Sequence, residues 1–267
     1  LYALRVRPLA LSLENKMLSF KTQKLLALLA LTAVGTTAQA AAINVVAYNS
    51  VGAAQTLTFE GNAGGVLDGV QTIGAAKFGE RFAGQTLGAN ADFDTLSGTP
   101  TKPLTLLSGA AGQNLLYAPF GSMTLIGLGN AGLDDEGNPF PNAVGEGAVS
   151  VLFDGDQSQI GFKVVGANPG GTLLIDFFRF DGSLIETLSL ADLSGGSFGF
   201  QRDGDVKDIA GMSIRNNDFG GLAFDDFVFN VVDARDPGDP GTVPEPTALL
   251  LAGLGLLAAG TARRRKA

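Results

Sequence analysis

The chain of 267 residues contains no cysteine, no histidine and no tryptophan, and only 16% of it is charged. Without cysteine there is no disulfide, no thiolate nucleophile and no cysteine-type zinc site. Without histidine, Ser-His-Asp and Cys-His catalysis are excluded, together with nearly all zinc chemistry, because imidazole is the usual base and the usual nitrogen ligand. No phosphate-binding loop, G-x-S-x-G or H-E-x-x-H pattern occurs. Long apolar runs are confined to the two ends. What is abundant is glycine, at 38 residues, and phenylalanine, at 18.

Basic residues are scarce in the middle of the chain. The formal net charge is −8, but residues 41–243 hold nine Lys/Arg against 24 Asp/Glu, a net of −15. A surface that acidic repels phosphate backbones, so nucleic acid is not an expected partner. It suits a secreted domain that meets divalent cations.

The two ends read as addresses. Residues 1–16 show no sustained period and contain Pro8, and Met17 is the expected true start, which makes 1–16 a non-native upstream extension. From Met17, Lys21 and Lys24 form a positive n-region and Leu25 to Val34 an apolar stretch of ten residues. Ala38-Gln39-Ala40 then supplies the small-x-small pattern that a signal peptidase pocket admits, with Ala41 as the first mature residue. The apolar run is too short to span a bilayer, so 17–40 reads as a signal peptide. At the other end, residues 233–242 form a Pro/Gly/Asp linker. Val243-Pro244-Glu245-Pro246 follows, then the apolar segment 247–262, then Arg263-Arg264-Arg265-Lys266. Sixteen helical residues rise about 24 Å, slightly short of a ~30 Å hydrocarbon core, a gap that local thinning or flanking residues cover. The terminal arginines would stay on the cytoplasmic side, leaving the acidic middle outside.

This three-part tail, over residues 243–267, resembles the PEP-CTERM sorting signal of Gram-negative bacteria. The resemblance implies export through the inner membrane and recognition of Val243-Pro244-Glu245-Pro246 and the Arg263–Arg265 run by exosortase, a membrane protease that removes or exchanges the tail. It also implies a final location at the cell surface or outside the cell, in hosts that make exopolysaccharide or biofilm matrix.

Between Ala41 and Val232 no 3.6-residue period persists. Short alternating or apolar runs separated by Gly, Asn and Asp predict strands over 43–48, 55–60, 114–118, 122–126, 148–153, 159–165, 172–180, 184–190, 197–201, 211–215 and 222–231. Segment 172–180, apolar on both faces, is expected inside a sheet, and residues 61–113 are expected to be long loops with one or two short strands. The expected class is all-β, a β-sandwich of jelly-roll type over 41–232. The segment Ile209 to Asn230 resembles the last strands of carbohydrate-binding jelly rolls, with Gly221, Ala223, Asp225, Asp226 and Phe229 in a G-x-A-x-D-D-x-x-F pattern.

Asp225-Asp226 is the sharpest chemical feature. Strand neighbours face opposite ways, so one carboxylate should point inward, where it needs a partner or a cation. Calcium takes six to eight oxygens, and Glu60, at the end of a predicted strand, is the matching second acid. A structural calcium on Glu60, Asp225 and Asp226 is therefore expected, against the alternative that these acids cap turns or face solvent. Asp154-Gly155-Asp156-Gln157-Ser158 starts like an EF-hand loop but lacks the Gly at position six and the Glu at position twelve, and reads as a β-turn. Asp203-Gly204-Asp205 and the 134–138 segment read as turns too, and Gly127 to Gly132 as a loop. A glycoside hydrolase needs only two carboxylates. Nothing in the sequence singles out such a pair, and sugar platforms favour Trp and Tyr, of which the exported part has only Tyr48 and Tyr117. The expected function is thus non-enzymatic, a surface or matrix protein that binds polysaccharide or neighbouring proteins. A secreted hydrolase using carboxylates alone is the alternative.

Overall fold

In the computed structural model, residues 42–110, 112, 114–194 and 196–235 are described, and the alternating segments form strands. In chain order these are β1 (Ile43–Val46), β2 (Gln55–Leu57), β3 (Gly65–Leu67), β4 (Gln71–Ile73), β5 (Ala76–Gly79) and β6 (Arg81–Phe82). They continue with β7 (Thr86–Asn90), β8 (Phe93–Ser97), β9 (Leu106–Leu107), β10 (Leu115–Phe120), β11 (Ser122–Gly127) and β12 (Val149–Gln157). The last six are β13 (Gln159–Val165), β14 (Leu173–Phe178), β15 (Leu184–Leu190), β16 (Ser197–Arg202), β17 (Ile209–Asn216) and β18 (Ala223–Phe229). Apart from two single-turn 3₁₀ helices, Tyr48–Ser50 and Asp203–Asp205, the described residues are all-β. No helix among them is long and apolar enough to cross a membrane. The signal peptide 17–40 with Ala38, Ala40 and Ala41, the segment 1–16 and the sorting tail with helix 247–262 lie outside the described residues.

Two antiparallel sheets stack face to face. The first has eight strands in the order β1-β16-β13-β18-β11-β10-β3, with β2 also paired to β18; the second has six, β15-β14-β17-β12-β5-β4. The side-chain period of two explains the pattern. Val149, Val151 and Phe153 of β12 are each at most 1% exposed and point at the other sheet, where Ile160, Phe162 and Phe200 are fully buried. Aromatic rings bridge the layers: Phe78 and Phe227 have centroids 5.2 Å apart, Phe153 and Phe229 5.2 Å, Phe177 and Phe200 5.3 Å. The phenylalanines are thus mainly packing, at separations favourable for ring pairs.

All eleven strands predicted from periodicity are present, with ends shifted by a few residues, and β14 lies inside its sheet between β15 and β17. Residues 61–113 differ from expectation: they contain seven short strands, β3 to β9. Each is two to five residues long, too short for a period to stand out; β3 and β4 are sheet edges, β5 is paired on both sides, and β6 to β9 serve as cover. Of segment 154–158, residues 154–157 are not a turn but the irregular end of β12, where the register against β17 shifts between Leu152 and Gln157, and only Ser158 is a bend before β13. Asp154 is there paired with Lys77 and Asp156 with Arg235.

Segment 81–107 lies over the outer face of the six-stranded sheet. Its apolar part forms a second small core, in which Phe82, Leu104 and Leu106 cover Phe178 and Ala210. Its other part is the isolated hairpin β7–β8, above a polar stretch of the same face.

Candidate functional site

The expected metal ligands sit where β18 is bulged. Phe224 and Phe227 are both in the core although three residues apart, which an unbroken strand forbids. The irregularity against β13 falls between them, and Asp226 takes a left-handed φ of 45° there. The Tyr48 hydroxyl donates to the Asp226 carbonyl at 2.8 Å, and Lys163 Nζ lies 2.5 Å from Asp226 Oδ2, so both ends of this strained residue are held. Asp225 is buried. Its Oδ2 accepts from the Ser122 hydroxyl at 2.6 Å and its Oδ1 from the Asp226 N–H at 2.8 Å. Glu60 Oε1 accepts from the Met123 N–H at 3.0 Å. The fold therefore brings Glu60 and Asp225 to consecutive residues of β11 and sends Asp226 to Lys163. Protein donors satisfy the buried Asp225, and no group of three acids among the described residues is arranged to hold a metal ion.

A second constellation lies beneath the β7–β8 hairpin, on the outer face of the six-stranded sheet. The hydroxyls of Ser150 and Ser213 are 2.8 Å apart, Ser150 also donates to the Glu80 carbonyl at 3.1 Å, and Gln85 Oε1 accepts from the Phe82 N–H at 2.9 Å. Arg215 Nη2 is 2.5 Å from Asp176 Oδ2, and its Nη1 donates to the Leu96 carbonyl at 3.2 Å. An open cleft of about 410 Å³ adjoins this layer, lined by Gln85, Leu96, Thr99, Asp176, Phe178 and Leu184 among others.

Three carboxyl groups are buried at the root of the hairpin: Glu80, Asp94 and Glu146, at 1%, 4% and 4% exposure. The Asp94 N–H donates to the Glu146 carbonyl at 3.1 Å, and Asp94 Oδ2 accepts from the Ala148 N–H at 3.0 Å. Burial pushes the Asp94 carboxyl up to about 7, with Glu80 adding repulsion while the Ala148 N–H and Arg81 oppose the rise. Burial, then the charge of Asp92, pushes Glu146 up to about 7 as well. Glu80 is raised by burial and partly restored by its ion pair with Arg81. Glu80 Oε1 and Glu146 Oε2 have no hydrogen-bond partner. Glu146 is held there by close backbone packing. The Leu222 N–H donates to the Gly145 carbonyl at 2.9 Å, and a Cβ on Gly221, at φ 69°, would lie 2.0 Å from the Val144 carbonyl oxygen.

Sequence reasoning missed these three acids. For Asp94 a signal existed: in Phe93-Asp94-Thr95-Leu96-Ser97 the acid shares a strand face with Leu96, and both are buried. Glu146, between two glycines, offers no periodicity.

The family comparison supplies what the sandwich does not. Residues 242–266 match the PEP-CTERM protein-sorting motif. This chain therefore carries the sorting signal of exported proteins that exosortase, a membrane protein, recognises. No curated protein and no solved structure matches the chain.

Proposed function

We propose that this is a non-enzymatic surface or extracellular-matrix protein, exported through the inner membrane of a Gram-negative bacterium and released from it by tail processing. The match to the sorting motif at 242–266 carries the reading. Signal peptidase acts at Ala38-Gln39-Ala40, and exosortase at Val243-Pro244-Glu245-Pro246 with the Arg263–Arg265 run. Until then the segment 247–262 holds the chain in the inner membrane. The β-sandwich is the delivered part and binds extracellular polysaccharide or neighbouring proteins. A hydrolase reading would need an acid and a base open to substrate, whereas the two carboxyls held near 7 are buried under a hairpin. A structural calcium would draw on Glu60 and Asp225, whose carboxylates accept from Met123 and Ser122, consecutive residues of β11, and it would have to displace the protein donors that now satisfy Asp225. Incubating the purified protein with arrayed polysaccharides tests the binding role. Retention without release of reducing sugar is expected, and release of product would move the protein to the hydrolases.

A further inference from the structure

The β7–β8 hairpin is lightly held. It pairs with no other strand. On its two strands only Asp94 and Leu96 are buried, and one of these is a carboxylic acid. Segments with few buried apolar contacts open at low free-energy cost. The ties to the body are few: one edge-to-face ring contact, Phe93 on the exposed Phe219 with centroids 5.9 Å apart, the buried Leu96, and a handful of hydrogen bonds. Asp94 holds Glu146 through its N–H and Ala148 through its side chain, Asp92 accepts from the Asn130 N–H at 3.1 Å, and Leu96 accepts from Arg215.

The charges around that anchor have one sign in excess. Asp94 is faced by Glu80 and Arg81, and Glu146 by Asp92. Arg81 is committed to Glu80, and Arg215, reaching in from β17, to Asp176. Neither cation is paired with Asp94 or Glu146. A buried, unpaired carboxylate is costly, and a neutral carboxyl much less so.

We propose that the β7–β8 hairpin is a proton-held cover: with Asp94 and Glu146 neutral it stays closed, and their ionisation releases it and uncovers the polar layer of Gln85, Ser150, Ser213 and Asp176. The inference stands on the sandwich alone and is independent of the sorting tail. Its direction follows from linkage. Both acids bind a proton more tightly when closed, with values of about 7, than when solvated at 3.8 and 4.5. Closure is therefore complete below the solvated values, weakens as pH rises towards 7, and weakens no further well above it. Between pH 6 and 8 each group contributes about tenfold to the opening equilibrium.

Amide hydrogen exchange of the full-length chain in detergent tests this, after correction for the intrinsic rate. Protection of residues 86–97 is compared with that of β14 at pH 6 and pH 8. The expected result is a fall of tenfold or more in the hairpin relative to β14, and little pH dependence in the double variant Asp94→Asn, Glu146→Gln. Equal relative protection at both pH values, or an unchanged fall in the double variant, overturns the proposal. Should that variant not fold, a carboxyl-carbon NMR titration of the unaltered protein decides. Midpoints near 7 for Asp94 and Glu146 support the cover, and midpoints near 4 overturn it.

Discussion

Arg235 is clamped to Asp156: its Nη2 and Nε lie 2.5 and 2.9 Å from Oδ1 of that acid, and its guanidinium sits 4.0 Å from the Phe180 ring centroid. The Arg235 N–H also donates to the Asp154 carbonyl at 2.7 Å. Arg235 lies within the stretch that composition assigns to the linker, yet it is docked, eight positions before Val243.

The clamp gives a first prediction. Replacing Arg235 by alanine removes the ion pair and the ring contact and should free the irregular segment that follows β18. Limited proteolysis of the Arg235→Ala variant should then cut on the amino-terminal side of residue 235, where the parent protein is protected. The loss in global stability should be small, about 1–3 kcal/mol. An unchanged cleavage pattern would show that the clamp does not hold the end of the domain.

The bulge at Asp225 gives the second. Asp225→Ala removes the acceptor for Ser122 and for the Asp226 N–H, which should cost about 1–3 kcal/mol in chelator. If Glu60 and Asp225 hold calcium, the parent protein gains about 2.7 kcal/mol at a free calcium concentration 100-fold above the dissociation constant. Asp225→Ala should lose that gain and Asp156→Ala should keep it. Equal melting temperatures of the parent in millimolar calcium and in chelator would remove calcium from the account and leave Asp225 as a hydrogen-bonded acid.

Phe227 is fully buried and meets rings from both sheets, Phe78 at 5.2 Å and Phe162 at 5.5 Å. Phe227→Ala should therefore cost about 3–5 kcal/mol, measured by denaturant unfolding. A cost below 1 kcal/mol would mean that the two sheets do not pack through this ring.

Much of this architecture was legible in the sequence. The period-two runs at Val149-Val151-Phe153 and Ile160-Phe162-Val164 mark strands whose one face is buried, and such strands announce themselves. The short strands of 61–113 do not, because β6 and β9 offer only two residues each and β7 presents mostly exposed side chains. The Asp225–Asp226 pair was visible as chemistry, but the bulge that turns Asp226 towards Lys163 depends on register against β13 and is not local. The acids under the hairpin were invisible for the same reason: Asp94 and Glu146 are 52 positions apart and meet only through the fold.

Stability should depend on pH from both sides. The raised acids Asp94 and Glu146 contribute stability that is complete below their ordinary values and is lost as pH rises to about 7, and Glu80, raised by burial, acts in the same direction. For Asp134 and Asp192 the hydrogen bonds their carboxylates accept lower the pKa. Burial of Asp181 opposes a similar lowering by Ser183 and nearby cations. Their stability is present above 3.8 and lost as pH falls through the lowered values. Thermal melts should therefore peak on the acidic side of neutrality and decline from pH 5 to pH 8, and the Asp94→Asn variant should flatten the decline. A melting temperature that rises steadily from pH 5 to pH 8 would contradict the assignment of these acids.

The most direct test of the export account is the intact mass of the protein recovered from the cell surface and medium, compared with that of a variant carrying alanine at Pro244, Glu245 and Pro246. The account predicts a mature form that begins at Ala41 and has lost the segment after the Pro-Glu-Pro motif. It predicts that the variant keeps its tail and stays in the inner membrane. Release of the variant with the same shortened mass, or a released parent protein that still ends in the Arg263–Arg265 run, would contradict it.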